Sequence, residues 1–145
     1  MFFYISYLVF IAVVLAFLEI QIEGSEGWAK NLPTWRIEGT LFNKLSGRTE
    51  LTGYHMFLSL FIVVFLHFPF VFFNNWSWLL ELRVIGSFLI ITAVEDFLWF
   101  VFNPGFSLDR FFKRDVPWHK WWIGCFPVFY YLNLLIGGYL IYTSY

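Results

Sequence analysis

Charge is scarce in this sequence: only 13% of its 145 residues are Asp, Glu, Lys or Arg, and the formal net charge is −1. A soluble domain of this length needs far more charge to stay dispersed, so an ordinary water-soluble fold is excluded. The near-neutral balance also gives no argument for nucleic acid as a partner. Cysteine is limited to Cys125; an intrachain disulfide is impossible, and its apolar surroundings read as those of a small buried hydrophobe. A nucleophile triad, a phosphate-binding glycine loop and a dinucleotide fingerprint are all missing. So are internal repeats and low-complexity linkers, which leaves one domain spanning residues 1–145. The opening run "MFFYISYLVFIAVVLAF" lacks a basic start and a small-x-small cleavage site, so it reads as a retained helix rather than a secretory leader.

What fills the sequence is apolar and aromatic. Hydrophobic residues make up 60% and aromatic residues 26%, with 21 Phe and 8 Trp, and the mean hydropathy is +0.70. Four stretches are long enough for the roughly 30 Å hydrocarbon core, which takes about 20 helical residues. They lie near Phe2–Ile22, Leu51–Phe73, Trp78–Phe102 and Trp118–Tyr142. Their continuous apolar runs lack the period-two alternation of a barrel. The expected fold is therefore all-α: an integral membrane four-helix transmembrane bundle with interfacial loops.

Local signals set the expected boundaries. Thr49 and Glu50 suit the start of the second helix. Asn103-Pro104-Gly105 stops the third. Asp115 is the expected N-cap of the fourth, with Pro117 in its first turn. Pro69 and Pro127 fall within helices two and four, where each should bend the axis. Asn133 and Gly137-Gly138 read as helix-packing devices. Lys30, Arg36, Lys44 and Arg48 lie in the first loop, and Arg110, Lys113, Arg114 and Lys120 lie in or beside the third. Only Arg83 is near the other face, so both basic loops are expected in the cytoplasm and both termini outside. Trp28, Trp35 and Phe42 in the first loop, and Leu108, Phe111 and Phe112 in the third, are expected to anchor these loops to the membrane surface. Anionic lipids are natural partners for such basic amphipathic pieces.

Depth, rather than sequence number, groups the ionisable side chains. At 1.5 Å per residue, Glu19 lies about 26 Å along the first helix, near its cytoplasmic end. Glu23 follows one turn later on the same face. His55 sits one turn into the second helix, Glu95 and Asp96 near the end of the third, and His119 at the start of the fourth. Such groups are costly in hydrocarbon unless they face inward, pair, or hold a cation. Glu19, His55, Glu95 and His119 form a candidate His₂/carboxylate₂ set for Zn²⁺, Fe²⁺ or Mn²⁺. Asp96 and Glu23 are the candidate catalytic groups, as general base or proton carrier, and Tyr54 is a candidate donor beside His55. Without a metal, the same layer is a hydrogen-bonded polar network in which Lys120 or loop arginines pair with the acids. His67, about 18 Å beyond His55, stands apart near the Pro69 kink.

The segments "EIQIEGSEGWAKNLPTWR", "EDFLWFVFNPGF" and "PWHKWW" resemble those of a group of small four-helix prokaryotic membrane proteins. That resemblance implies a prokaryotic cytoplasmic membrane and transfers no activity. The histidine-box pattern of membrane desaturases and hydroxylases is not matched. Three function classes fit: a metal-dependent membrane enzyme acting on a lipid-like substrate, an accessory or scaffold subunit, and an ion or proton pathway. A homo-oligomer or a membrane-protein partner fits the phenylalanine-rich surface.

Overall fold

The computed structural model describes residues 1–145, except the side chains of Phe42, Leu45 and Ser46. Along the chain run α1 (Phe2–Glu23), β1 (Arg36–Glu38), α2 (Leu41–Ser46), β2 (Glu50–Thr52), α3 (Gly53–Phe73), α4 (Trp78–Phe102), α5 (Leu108–Phe112), β3 (Trp122–Ile123), β4 (Phe126–Pro127) and α6 (Val128–Thr143). The protein is mostly helical. α1, α3 and α4 are each long and apolar enough to cross a membrane. α6 is apolar but has 16 residues, about 24 Å of helix.

α4 is the central element, with α1 and α6 packed closely along it and α3 touching it more lightly. Small residues make these approaches close. Ala12 and Ala16 are fully buried on α1. Gly86 of α4 and Gly137 of α6 abut so tightly that a Cβ on either would lie 2.8 Å from the other's carbonyl oxygen. Glycine at a crossing lets the two backbones approach closely and gain dispersion contacts. Gly138 has nothing near its Cβ position, so only Gly137 of the pair serves the crossing.

α4 keeps its expected bounds. The Ser77 hydroxyl accepts from the Leu80 amide at its start, and Asn103 caps its end, donating to Gly24 O at 2.8 Å. Two helix starts differ from expectation. α3 begins at Gly53 because Thr52, not Thr49, is the N-cap, its hydroxyl accepting from the His55 amide at 3.2 Å. Thr49 and Glu50 are drawn away instead; Glu50–Thr52 pair antiparallel with Arg36–Glu38.

α6 begins at Val128 rather than Trp118. Residues 122–127 form a small hairpin turning at Gly124, whose φ of 56° is in the left-handed region. Pro127 therefore opens α6 instead of bending it. The same correction exposes Cys125 at the hairpin tip, so it is not a buried hydrophobe.

The two basic loops meet at one end of the bundle and interlock. Lys120 N–H donates to Gly47 O at 2.8 Å, and Arg48 and His119 form an isolated antiparallel bridge. Beneath them lies an aromatic core of Trp99, Phe100, Phe106, Phe111, Trp118 and Tyr130. Phe111 thus packs inside the protein, while Phe112 of the same short helix stays outward. Both termini lie at the other end: the rings of Tyr4 and Tyr145 are in edge contact at 6.1 Å, and the Arg83 guanidinium bonds Ser144 O.

Candidate functional site

α1 presents Glu19 and Glu23 on its buried face, in register with Leu8, Ala12, Leu15 and Ala16. After the helix the chain doubles back over Glu23. Gly24 and Gly27 have positive φ, and so do Trp28 (48°) and Ala29 (52°), where a side chain makes that conformation costly. The fold pins this turn from two sides. Glu23 Oε1 accepts from the Ala29 amide at 2.6 Å. The Arg36 guanidinium bonds both Trp28 O and Ala29 O. The strained turn sets the Trp28 ring flat against His55, with centroids 4.0 Å apart.

His55 Nε2 lies 3.2 Å from Glu23 Oε1, and its Nδ1 lies 2.6 Å from the Thr52 hydroxyl. One ligand atom each from Glu19, Glu23 and His55 falls within 4.8 Å of the others. Glu19 of α1 and Glu95 of α4 line one small cavity, bringing a further carboxyl beside the cluster. Thr52 makes the imidazole adaptable. When its hydroxyl donates to Nδ1, Nε2–H faces Glu23; when Nδ1–H donates to it, the Nε2 lone pair is free for a metal.

Four buried polar atoms around this cluster have no partner among the described residues: Trp28 Nε1, Trp99 Nε1, Tyr54 Oη and Glu95 Oε1. Both indoles line a cavity of about 20 Å³ shared with Glu19, Glu23, His55 and Asp96, room for one water or ion. Burying an unsatisfied N–H or carboxyl oxygen costs about 1–3 kcal/mol. Their concentration here fits a site built to hold something polar.

Asp96, though adjacent to Glu95, belongs to a second group. Its Oδ1 accepts from Arg48 Nη2 at 2.9 Å. Its Oδ2 accepts from Tyr130 Oη at 2.5 Å and contacts His119 Nε2 at 3.0 Å. The Arg48 guanidinium also lies over the rings of Trp28 and Phe129, at 4.5 and 4.6 Å. His119 lies outside the helices. Burial pushes its imidazole below the ordinary value, and the Arg48 charge pushes the same way against the opposing pull of Asp96. A neutral His119 can donate Nε2–H to Asp96 Oδ2, and Arg48 Nη1 lies 3.4 Å from the same nitrogen.

The structure thus brings Glu19, Glu23, Glu95 and His55 together and places His119 with Asp96. Asp96 has both oxygens engaged, while Glu95 keeps one unpartnered. The sequence marks Arg48 and Trp28 as a topology-setting charge and a membrane anchor, with loop arginines expected to pair with the acids, but not as named parts of this site; Tyr130 carries no local signal. Tyr54 is near the cluster, its ring edge-on to His55 at 5.0 Å, but its hydroxyl has no partner among the described residues. His67 lies apart as expected. Its Nδ1 contacts Val63 O at 2.7 Å, and its Nε2 lies 3.1 Å from Glu81 of α4.

Beside the cluster, a cleft of about 560 Å³ separates α3 from α4 and α6. His55, Arg48, Glu95 and Asp96 lie at one end and Phe88 and Ile136 at the other.

Fold and site together define a small helical protein with three helices able to cross a membrane and a buried His/Glu cluster. No family model, no curated protein and no solved structure matches the chain.

Proposed function

We propose that this protein is an integral membrane four-helix bundle that binds a divalent first-row metal ion and acts as an enzyme on a lipid-like substrate. Two features support the membrane reading. α1, α3 and α4 are long enough to cross. The termini lie at one end and the two basic loops at the other, as an even number of crossings requires. By the positive-inside rule the basic end is cytoplasmic and both termini are outside.

The observation that carries the metal reading is the grouping of Glu19, Glu23 and His55 ligand atoms within 4.8 Å of one another, ringed by unpartnered buried polar atoms. Two carboxylates and an imidazole without thiolate suit Zn²⁺, Fe²⁺ or Mn²⁺. Glu95 adds a carboxyl beside Glu19, as a fourth ligand or its neighbour in the same small cavity. A bound ion of this kind supplies Lewis acidity and acidifies a water.

The side chains divide the remaining work. Glu23 is held by the Ala29 amide in position for a ligand. Glu95, with Oε1 unpartnered, is placed to take a proton. Asp96 is saturated by Arg48, His119 and Tyr130, so its role is to lock the loops over the site rather than to act as base.

Elemental analysis of protein purified without an affinity-tag metal tests this reading. About one metal ion per chain is expected, with loss in both Glu23→Gln and His55→Ala. Absence of stoichiometric metal, together with a fold indifferent to chelator, refutes it.

A further inference from the structure

The cleft between α3 and the α4–α6 pair has a wall chemistry that identifies its occupant. Its volume of about 560 Å³ is in the range of small-molecule sites. Along α4 it runs from Asp96 to Phe88, about 12 Å at 1.5 Å per residue. Leu51, Met56, Phe88, Leu89, Leu132 and Ile136 make most of it apolar. It opens sideways. Met56 and Leu132 line it and are also 36% and 43% exposed on the helix surface, so its mouth lies on the face turned to hydrocarbon.

The inner end is polar and acidic. Glu95 and Asp96 are both there, and the guanidinium of Arg48 is already bonded to Asp96. Glu95 Oε1 is buried without a partner, and Ser59, Thr92 and Asn133 add uncharged polar groups to the lining. A phosphate or carboxylate head would bring a second negative charge against Glu95, where the guanidinium is already paired with Asp96 and the neutral Trp28 N–H and Ser59 hydroxyl cannot offset it, an unfavourable like-charge contact in a desolvated site. A hydroxyl supplies the donor that Glu95 lacks.

We infer that the cleft takes the single hydrocarbon chain of an uncharged, hydroxyl-bearing lipid from the bilayer, its hydroxyl hydrogen-bonded to Glu95 beside His55. This names the substrate class of the site proposed above and rests on that site facing the membrane.

The test uses full-length protein in phosphatidylcholine nanodiscs with a diazirine-bearing hexadecan-1-ol, both before and after chelation, and maps the labelled residues by mass spectrometry. Labelling is expected to be saturable and centred on cleft residues such as Met56, Ser59 and Ile136. Unlabelled hexadecan-1-ol should compete and hexadecanoate should not. Leu132→Trp, at an exposed position that folding tolerates, should abolish cleft labelling by filling the mouth. Glu95→Met should remove the preference for the alcohol over hexadecane. Non-saturable label spread over outward residues such as Phe61 and Phe65 overturns the inference. Equal competition by hexadecanoate overturns it as well. Saturable cleft labelling in protein that never contains metal supports the lipid site while refuting the metal reading, so the two fail separately.

Discussion

Asp96→Asn is the sharpest test of how the polar end is built. Asp96 carries three contacts in a nearly dry setting: Arg48 at 2.9 Å, His119 at 3.0 Å and Tyr130 at 2.5 Å. The Arg48 and Asp96 side chains are only 7% and 13% exposed, so solvent does little to screen their pairing. Asparagine removes the charge and turns one acceptor into a donor that must face Arg48, His119 or Tyr130. Taking one partner from a buried ion pair costs about 3–5 kcal/mol, because the other charge stays behind. Tyr130→Phe removes one hydrogen bond to a charged group and should cost less, about 1.5–3 kcal/mol. The assay is unfolding in mixed detergent micelles, followed by tryptophan fluorescence and completed as a cycle with Arg48→Met. Because Arg48→Met removes the stranded charge, the double variant should be clearly more stable than the two single losses added together. An Asp96→Asn loss below about 1 kcal/mol, or strict additivity in the cycle, refutes the view that this pair locks the loops to α4.

The same unfolding assay checks three further expectations. Gly86→Ala puts a methyl 2.8 Å from Gly137 O and 2.9 Å from Ile141 Cγ1 and should cost about 1–3 kcal/mol by overpacking. Gly138→Ala meets nothing and should be neutral or slightly stabilising. Gly27→Ala should destabilise on two counts, a φ of 65° and a Cβ 2.7 Å from the Trp118 ring, and should loosen the turn over Glu23.

The pH dependence follows from His119, which faces Arg48, Asp96 and Tyr130. Burial holds its folded-state value below the unfolded one, so the unfolded chain binds a proton first. Stability from this group is therefore intact above about pH 6.5 and falls as pH drops through the folded value. His119→Gln lacks that loss, so the stability gap between wild type and variant should narrow between about pH 7.5 and pH 5; a gap that widens contradicts the sign.

Elements governed by nearby residues were legible in the sequence. α4 is bounded by a serine cap and by Asn-Pro-Gly, signals that act within a turn, and its ends fall where the chain alone places them. α6 was misplaced because Pro117 and Pro127 both satisfy the rule for the first turn of a helix. The choice between them depends on a hairpin whose Trp122 and Phe126 pack against Phe111 and Phe97, contacts that no local rule contains. The polar layer was legible by depth, since 1.5 Å per residue converts a sequence number into a height. How the layer divides was not. That depends on Lys120 bonding Gly47 and on Arg48 bridging His119, contacts between loops some 70 residues apart.

The division explains why two adjacent carboxylates stand at the end of an apolar helix. Neighbours on a helix project about 100° apart, and α4 is flanked by α1 and α6. Glu95 turns to Glu19 on α1, and Asp96 to Tyr130 on α6 and to the loop arginine. A single acid would serve only one side. With both, α4 joins the metal-type cluster to the clamp that holds the loops above it, so loosening the clamp should reach the cluster. Trp28 gives a direct readout of that coupling, because it touches His55 and Arg48 at once. In Asp96→Asn the freed guanidinium should shift the Trp28 environment and weaken retention of the proposed metal, with Glu19, Glu23 and His55 all unchanged. If Asp96→Asn protein holds metal as tightly as wild type through a chelator titration, the two halves of the layer are independent and α4 does not couple them.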